Sequence, residues 1–140
     1  MANAFECRVI TPEARLLDEE CVSVVAPMHD GQMGILPGRA PLVGRLGLGE
    51  LKLTFVKGGS RSYLVDDGFL QMAGNRLTVL ASRAIPAETL SESEAQAELA
   101  EAQARAPKDA GDAEKVRKDR DRARAKLTLA KTFSGRGGGI

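Results

Sequence analysis

The feature that most constrains the fold of this chain is a change of sequence pattern at Pro86. Between residues 5 and 85, short segments of alternating apolar and polar residues are separated by glycine, proline and aspartate. After residue 87 the chain consists mainly of residues that favour helices, above all alanine, glutamate, lysine and arginine. Because alternation with a period of two is typical of half-buried strands, the pattern predicts a mainly β chain with a smaller α part. The boundaries predicted from it are a β domain at 1–86 and a helical domain at 87–134.

The first domain is predicted to hold seven or more short strands. In "FECRVI" the residues Phe5, Cys7 and Val9 fall on one face, and "ELKLTFV" (50–56) alternates in the same way. Residues 57–60, 66–68 and 74–75 have turn chemistry and separate the later strands. Strands at this spacing, without a helical pattern between them, predict an antiparallel β-sandwich or flattened barrel.

The second domain is predicted to be an antiparallel two-helix hairpin with helices at about 88–106 and 113–132. The pair Ser91 and Glu94 fits a capping box, and Asp112 is the predicted cap of the second helix. The segment "PKDAG" (107–111) interrupts the helical pattern. The glycine-rich residues 135–140 are predicted to form a flexible tail.

The contact between the two predicted helices is thin and strongly charged. Its predicted seam residues are Ala95, Leu99, Ala102, Ala106, Val116, Ala123, Leu127 and Ala130. The first helix carries five glutamates against one arginine, a net charge of −4, and the second carries eight basic against three acidic residues, a net charge of +5. Since alanine buries little surface and exposed ion pairs stabilise weakly, we expect a weakly held hairpin that can open.

Several kinds of chemistry find no support in the sequence. The single histidine, His29, lies in the turn-like segment "PMHDG" and is expected to be solvated, and "GQMGILPG" lacks the GK[ST] ending of a phosphate-binding loop. Cys7 and Cys21 lie in apolar contexts and are expected to be reduced core thiols of a cytoplasmic protein. No zinc-ligand spacing, catalytic triad or signal peptide is recognisable, so we expect no catalytic residue, no cofactor and no metal.

The run Gly31–Leu42, "GQMGILPGRAPL", resembles the signature of the epsilon subunit of rotary proton-translocating ATP synthases. The segments "VDDGFLQMAGNRLTVLASRA" (65–84) and "FECRVITPEARLLDEECVSVVAP" (5–27) are similar to later and opening strands of that family. The order of sandwich, linker and helical hairpin also agrees. The resemblance implies a non-catalytic central-stalk subunit that couples proton-driven rotation to ATP synthesis and restrains ATP hydrolysis through its hairpin.

The resemblance also implies partners and contact residues. The implied partners are the gamma subunit, the c-ring and, transiently, the alpha and beta subunits, without nucleic acid. The chain would then be peripheral, at the cytoplasmic face of the cell membrane, through the complex only. The implied c-ring contacts are Asp30, Gly31 and Gln32, and the implied gamma contacts are Pro37, Gly38, Arg39, Ala40 and Pro41. The implied inhibitory residues of the hairpin are Arg117, Lys118, Arg120, Arg122, Arg124 and Lys126.

Two departures from the family pattern affect what the resemblance implies. Arg39 stands where the family usually has histidine, which adds permanent charge and bulk to that contact. Some members bind ATP through an Ile/Leu-Asp-x-x-Arg-Ala motif, but here Ser91 replaces the aspartate and Glu94 replaces the arginine. Because an acid at that position repels phosphate, nucleotide binding by this motif is not expected. Arg120, Arg122 and Arg124 could still contact phosphate, but a solvated basic face is the expectation for them.

Three other interpretations remain open at this level. The glycines and prolines of 31–41 would also suit a turn that serves the fold alone. A free-standing β-sandwich binding module with a helical interaction tail would require aromatic platforms on one sheet face, although aromatic residues make up only 4% of the chain. Nucleic-acid binding by the basic helix would require the glutamates of the first helix to stay away from it.

Overall fold

The structure is a computed structural model that describes residues 4–138, with the side-chain surroundings given for residues 4–133. The chain divides into two compact units, Met1–Pro86 and Ala87–Ile140. The division falls at the residue where the sequence pattern changes.

The first unit is a closed β structure, as predicted. Its strands are β1 (Phe5–Ile10), β2 (Arg15–Met28), β3 (Gly31–Ile35), β4 (Leu42–Arg45), β5 (Leu48–Phe55), β6 (Ser60–Ala73) and β7 (Arg76–Pro86). Strands β1, β7, β6, β5 and β2 follow one another as hydrogen-bonded neighbours, and β1 also pairs with β2, so the five strands close into a ring. Strand β3 extends this ring beside β2, and β4 extends it beside β6.

One strand pair departs from the predicted antiparallel arrangement. Strand β1 runs parallel to β7, with Cys7 beside Leu77 and Val9 beside Val79, whereas its other neighbour β2 is antiparallel. Apolar alternation reports which face of a strand is buried but not the direction of its neighbour, so the sequence pattern could not predict this pairing.

The prediction of a turn at Asp66–Gly68 is wrong. These residues lie inside the 14-residue strand β6, which pairs with β5 through Asp66 and with β4 from Phe69 onward. Asp67 has φ 63° and Gly68 has φ 127°, so the backbone bends there without reversing. A Cβ atom on Gly68 would clash with the carbonyl oxygen of Leu80 on the adjacent strand. The turn-like sequence therefore marks a bend within β6, and this bend allows β6 to pair with β5 before it and with β4 after it.

The core of the first unit is formed by the inward residues of all strands, including Phe5, Leu53 and Tyr63, which are at most 2% exposed. The predicted burial of Cys7 and Cys21 is confirmed, since both have 0% exposure. A hydrogen bond with Cys21 and burial both raise the pKa of the Cys7 thiol, which therefore stays protonated.

The second unit consists of a short 3₁₀ turn at Ala87–Thr89 and two helices, α1 (Glu92–Ala104) and α2 (Ala110–Gly138). Helix α1 begins after Ser91, whose hydroxyl oxygen accepts the N–H of Glu94 at 3.3 Å, so the predicted cap is confirmed. Helix α2 begins earlier than predicted, because Asp109 and not Asp112 caps it: a carboxylate oxygen of Asp109 accepts the N–H of Asp112 at 2.8 Å.

At its other end, helix α2 continues to Gly138, through most of the segment predicted to be a flexible tail. An established helix gains one hydrogen bond for each residue added, and this opposes the low helix propensity of glycine. Residues 139 and 140 of that tail lie outside the described residues.

The seam between α1 and α2 agrees in most positions with the prediction. The buried residues of the two helices are Ala95, Ala102, Val116, Ala123, Leu129 and Ala130. Leu99 and Leu127 are only half-buried, Leu129 is an additional seam residue, and Ala106 is exposed because α1 ends at Ala104. The seam is therefore mostly alanine, as predicted.

Candidate functional site

The two contact sets implied by the sequence lie at opposite ends of strand β3. Asp30, Gly31 and Gln32 are exposed at the turn between β2 and β3 and at the start of β3. Pro37 to Pro41 form the connection from β3 to β4, called the corner below, in which Pro37 is half-buried and the other four residues are exposed. Because five residues of a strand span about 15 Å, the two ends can meet two different partners.

A side chain from another part of the unit holds the corner in place. The N–H of Gly38 donates to the side-chain oxygen of Asn75 at 3.2 Å, and the side-chain nitrogen of Asn75 donates to the carbonyl oxygen of Ala4 at 2.7 Å. The N–H of Arg39 also donates to the carbonyl oxygen of Leu36, the residue directly before the corner, at 3.3 Å. Gly38 has φ 80°, a backbone conformation that favours glycine. The corner is thus pre-shaped, which lowers the entropy lost when it is bound.

The bond from Asn75 leads to a first testable expectation. In the Asn75→Gly variant the positive φ of 59° remains accessible but the amide group is lost, so we expect amide hydrogen exchange at Gly38 to accelerate about three- to tenfold. NMR, which follows the hydrogen exchange of each backbone amide separately, measures this rate. Asn75→Asp keeps an acceptor for Gly38 and serves as the control. Unchanged exchange in the glycine variant would show that the corner is held by its own backbone.

A patch of outward-facing apolar side chains follows the corner on the outer face of the sheet; three of its four members are exposed, and Ile10 is half-buried. Ile10, Leu80 and Phe69 are register partners on the adjacent strands β1, β7 and β6, and Val43 lies diagonally from Phe69 on β4. The exposed fractions are 47% for Leu80, 58% for Phe69 and 73% for Val43. We call these four residues the outer apolar patch. Since Val43 lies two residues after Pro41, the outer apolar patch adjoins the corner.

A groove of about 540 Å³ is lined by Ile10, Phe69 and Leu80 of the outer apolar patch, together with Pro12 and Arg45. Arg45 is paired with Asp67 at 3.3 Å, so charged groups border an apolar floor. This combination of an apolar centre and a polar rim is typical of protein–protein contacts. The sequence analysis missed it, although Phe69 and Leu80 stand at outward positions of their strands' alternation, where polar residues are the rule.

The aromatic platform required by the hypothesis of a free-standing binding module does not form among the described side chains. Phe5 and Tyr63 are core residues, and Phe55 is half-buried beneath the ammonium group of Lys57, 5.6 Å from the ring centre. Phe69 is the aromatic residue that remains exposed on the sheet.

Several basic residues of α2 make hydrogen bonds or ion pairs in the closed hairpin, whereas the sequence predicts a solvated basic face. The guanidinium group of Arg120 donates to carbonyl oxygens at the end of α1, and Lys126 pairs with Glu98 at 3.1 Å. Other partners lie on α2 itself, as in the pairs Arg117–Glu114 at 3.5 Å and Arg124–Asp121 at 3.4 Å. Arg122 pairs with Asp119 at 3.3 Å, and Lys118 is exposed. Because Glu98 approaches the basic helix, the condition for nucleic-acid binding is not met in the closed hairpin.

An ion pair joins the residue that follows α1 to a residue in the first half of α2. Arg105 donates to Asp119 at 2.8 Å, and this hydrogen bond lowers the pKa of Asp119. The carboxylate therefore stays ionised and paired at neutral pH.

Neither a metal site nor a membrane-spanning helix is found in the part of the chain that the structure describes. Within residues 4–138 no group of three or more potential ligands could hold a metal ion. Among the same residues, no helix has the length and apolar character required to cross a membrane. His29 is exposed in the β2–β3 turn, as predicted for a solvated loop histidine.

Comparison with known families gives a match over the β unit. The profile of the family described as "ATP synthase, Delta/Epsilon chain, beta-sandwich domain" matches residues 4–87. The ATP synthase epsilon chain of Rhodopirellula baltica is 47% identical over 92 residues, which cover 66% of this chain and 71% of the relative. The ATP synthase epsilon chain of Desulfitobacterium hafniense (strain DCB-2) is 37% identical over 95 residues, which cover 68% of this chain and 71% of the relative.

Comparison with solved structures extends the similarity in fold to the helices. A chain of the Euglena gracilis mitochondrial ATP synthase aligns with a TM-score of 0.75 at 18% identity, covering 96% of this chain and 82% of that one. A chain from the central stalk and c-ring of the Tetrahymena thermophila mitochondrial ATP synthase aligns with a TM-score of 0.65 at 20% identity, covering 89% and 95%. At these identities the likeness concerns the fold.

Proposed function

Because this chain belongs to the ATP synthase delta/epsilon chain family, we propose that it serves as a non-catalytic subunit of the central stalk of an ATP synthase. In this role it couples proton-driven rotation to ATP synthesis and restrains ATP hydrolysis. The outer apolar patch beside the pre-shaped corner is the observation that carries the proposal, since it is a built contact surface on a rigid unit.

The gamma subunit is the proposed partner of the corner and the outer apolar patch together. The corner offers an exposed arginine, Arg39, between two prolines, and the patch offers Phe69 and Leu80 at a groove. Apolar side chains that are buried on contact supply affinity, whereas the charged rim supplies orientation. Phe69 and Leu80 are therefore added to the gamma contacts that the resemblance implied.

The c-ring is the proposed partner of the other end of β3. Asp30 and Gln32 are exposed there and can exchange hydrogen bonds with polar loops. Because β3 is paired with β2 along its length, force applied at the β2–β3 turn passes into the closed ring of strands without a flexible joint.

The helical hairpin is the proposed restraint on ATP hydrolysis, through transient contact of basic α2 residues with the alpha and beta subunits. A mostly alanine seam supports a reversible opening, because little apolar area holds the helices together. Assembly into the complex would place the chain at the cytoplasmic face of the cell membrane as a peripheral subunit.

Substitutions in the outer apolar patch test the proposed gamma contact. We expect Phe69→Ser and Leu80→Ser each to weaken binding to purified gamma subunit about tenfold or more, because central apolar contacts dominate interface energies. The change should leave the folded chain intact, since both side chains are already exposed. Isothermal titration calorimetry measures the affinity.

Val56→Ser is the matched control, because Val56 is 49% exposed and lies outside the patch. Its affinity for gamma should equal that of the unchanged chain. If the patch variants bind as tightly as this control, the patch is not the contact surface. If the unchanged chain does not bind gamma, the proposed stalk function fails.

A further inference from the structure

The side chain of Arg120 crosses from α2 to the last turn of α1. Its Nε donates to the carbonyl oxygen of Ala102 at 2.9 Å, and one terminal nitrogen donates to the carbonyl oxygens of Gln103 at 3.3 Å and Arg105 at 2.8 Å. The last carbonyls of a helix have no partner within the helix and carry its partial negative charge. A guanidinium group therefore fits this place both as a donor and as a cation.

The apolar seam between the helices is small, so these polar contacts contribute a large share of the stability of the closed hairpin. Between the two helices it buries mostly alanine, together with Val116 and Leu129. Other cross-helix polar contacts among the described residues include the Arg105–Asp119 pair at 2.8 Å and the Lys126–Glu98 pair at 3.1 Å. Arg120 alone contributes three hydrogen bonds, all to backbone atoms that no substitution in α1 can remove.

Four of the basic residues of α2 thus fall into two classes. Arg117 and Arg124 pair with acids three residues away on α2, and those contacts persist when the helices separate. Arg120 and Lys126 have their described partners on α1, and those contacts must break. Separation of the helices therefore exposes the cations of Arg120 and Lys126 and leaves those of Arg117 and Arg124 as they were.

We propose that Arg120 is the clasp of the hairpin: its contacts with the end of α1 hold the closed state, and their loss starts the opening. This inference rests on the proposed function only in what opening achieves, namely restraint of ATP hydrolysis. The clasp itself is a property of the isolated chain. It assigns to Arg120 a positioning role in the closed state, in addition to any contact made in the open state.

Hydrogen exchange of the full chain tests the clasp directly. A 13-residue helix is barely stable alone, so the amides of α1 exchange rapidly once it leaves α2. We expect Arg120→Gln to accelerate exchange in α1 about tenfold or more, because hydrogen bonds from a charged donor are among the stronger ones. Arg120→Lys, which keeps the charge but not the fork of donors, should give a smaller acceleration.

Arg124→Gln is the matched control, since it removes the same charge from the same helix but breaks a contact within α2. Its exchange in α1 should equal that of the unchanged chain. Amides of β6 and β7 serve as an internal reference that the fold is retained. If Arg120→Gln and Arg124→Gln exchange alike in α1, the clasp is overturned.

ATP hydrolysis by an alpha–beta–gamma head, measured with the unchanged chain and with Arg120→Gln, separates the clasp from the proposed function. Faster exchange in Arg120→Gln supports the clasp, and slower hydrolysis in the presence of the unchanged chain supports the proposed restraint. Faster exchange without any effect of the full chain on hydrolysis keeps the clasp and refutes the proposed restraint.

Discussion

A chain ending at Ala87 is expected to bind the gamma subunit but to leave ATP hydrolysis at the rate of a head without any added chain, whereas the full chain slows it. The truncation removes both helices and keeps every strand, the corner and the outer apolar patch. The hydrophobic core of the β unit lies wholly within residues 5–81, so the truncated chain retains its own core. Steady-state ATP hydrolysis by a purified alpha–beta–gamma head measures the effect.

Two controls make the truncation decisive. Circular dichroism and thermal unfolding establish that the shortened chain is folded, and titration with gamma establishes that it binds. Equal hydrolysis rates with the full and shortened chains, both bound, would mean that the hairpin exerts no restraint.

Gly68→Ala is expected to destabilise the β unit by about 2–6 kcal/mol. Two causes add up: strain at φ 127° costs about 1–3 kcal/mol, and the clash of a Cβ atom with the backbone of Leu80 costs a further 1–3 kcal/mol or so. The clash involves main-chain atoms of β7, so no rotation of a side chain can relieve it. Chemical denaturation of the variant measures the free energy of unfolding.

Gly31→Ala separates the two causes. Gly31 has nearly the same φ, 129°, but an added Cβ atom would meet nothing within 4 Å. We therefore expect Gly31→Ala to carry the strain alone and to cost less than Gly68→Ala. Equal losses of stability in the two variants would show that backbone strain, and not the contact with β7, governs the bend.

The candidate site was partly predictable from the sequence. The corner is recognisable in the sequence because proline fixes its own φ and glycine adopts conformations that other residues avoid, so both mark special backbone positions. Asp30 and Gln32 are exposed, and their contact role stays a prediction. Asn75 was predicted only as a turn residue, because its bond to Gly38 spans 37 positions of sequence. The outer apolar patch was missed since its four members lie on four different strands.

The same contrast holds for the hairpin. Helix-forming composition and the cap at Ser91 were readable locally, whereas the role of Arg120 depends on where the last turn of α1 lies beside α2. A solvated arginine and a clasping arginine look identical in sequence. Asp109 and Asp112 are likewise both suitable caps, and the choice between them depends on where the turn between the helices ends.

By itself, the sequence determined the two-part organisation at Pro86, the inward faces of the strands, the helical character of the second unit and, through Gly31–Leu42, the family. These properties depend on residue type and short-range periodicity. The tertiary structure decided the parallel pairing of β1 with β7, the passage of β6 through Gly68, the outer apolar patch and the contacts of Arg120. Each of these joins residues far apart in the chain, and such contacts are fixed by packing and backbone hydrogen bonding that no local pattern encodes.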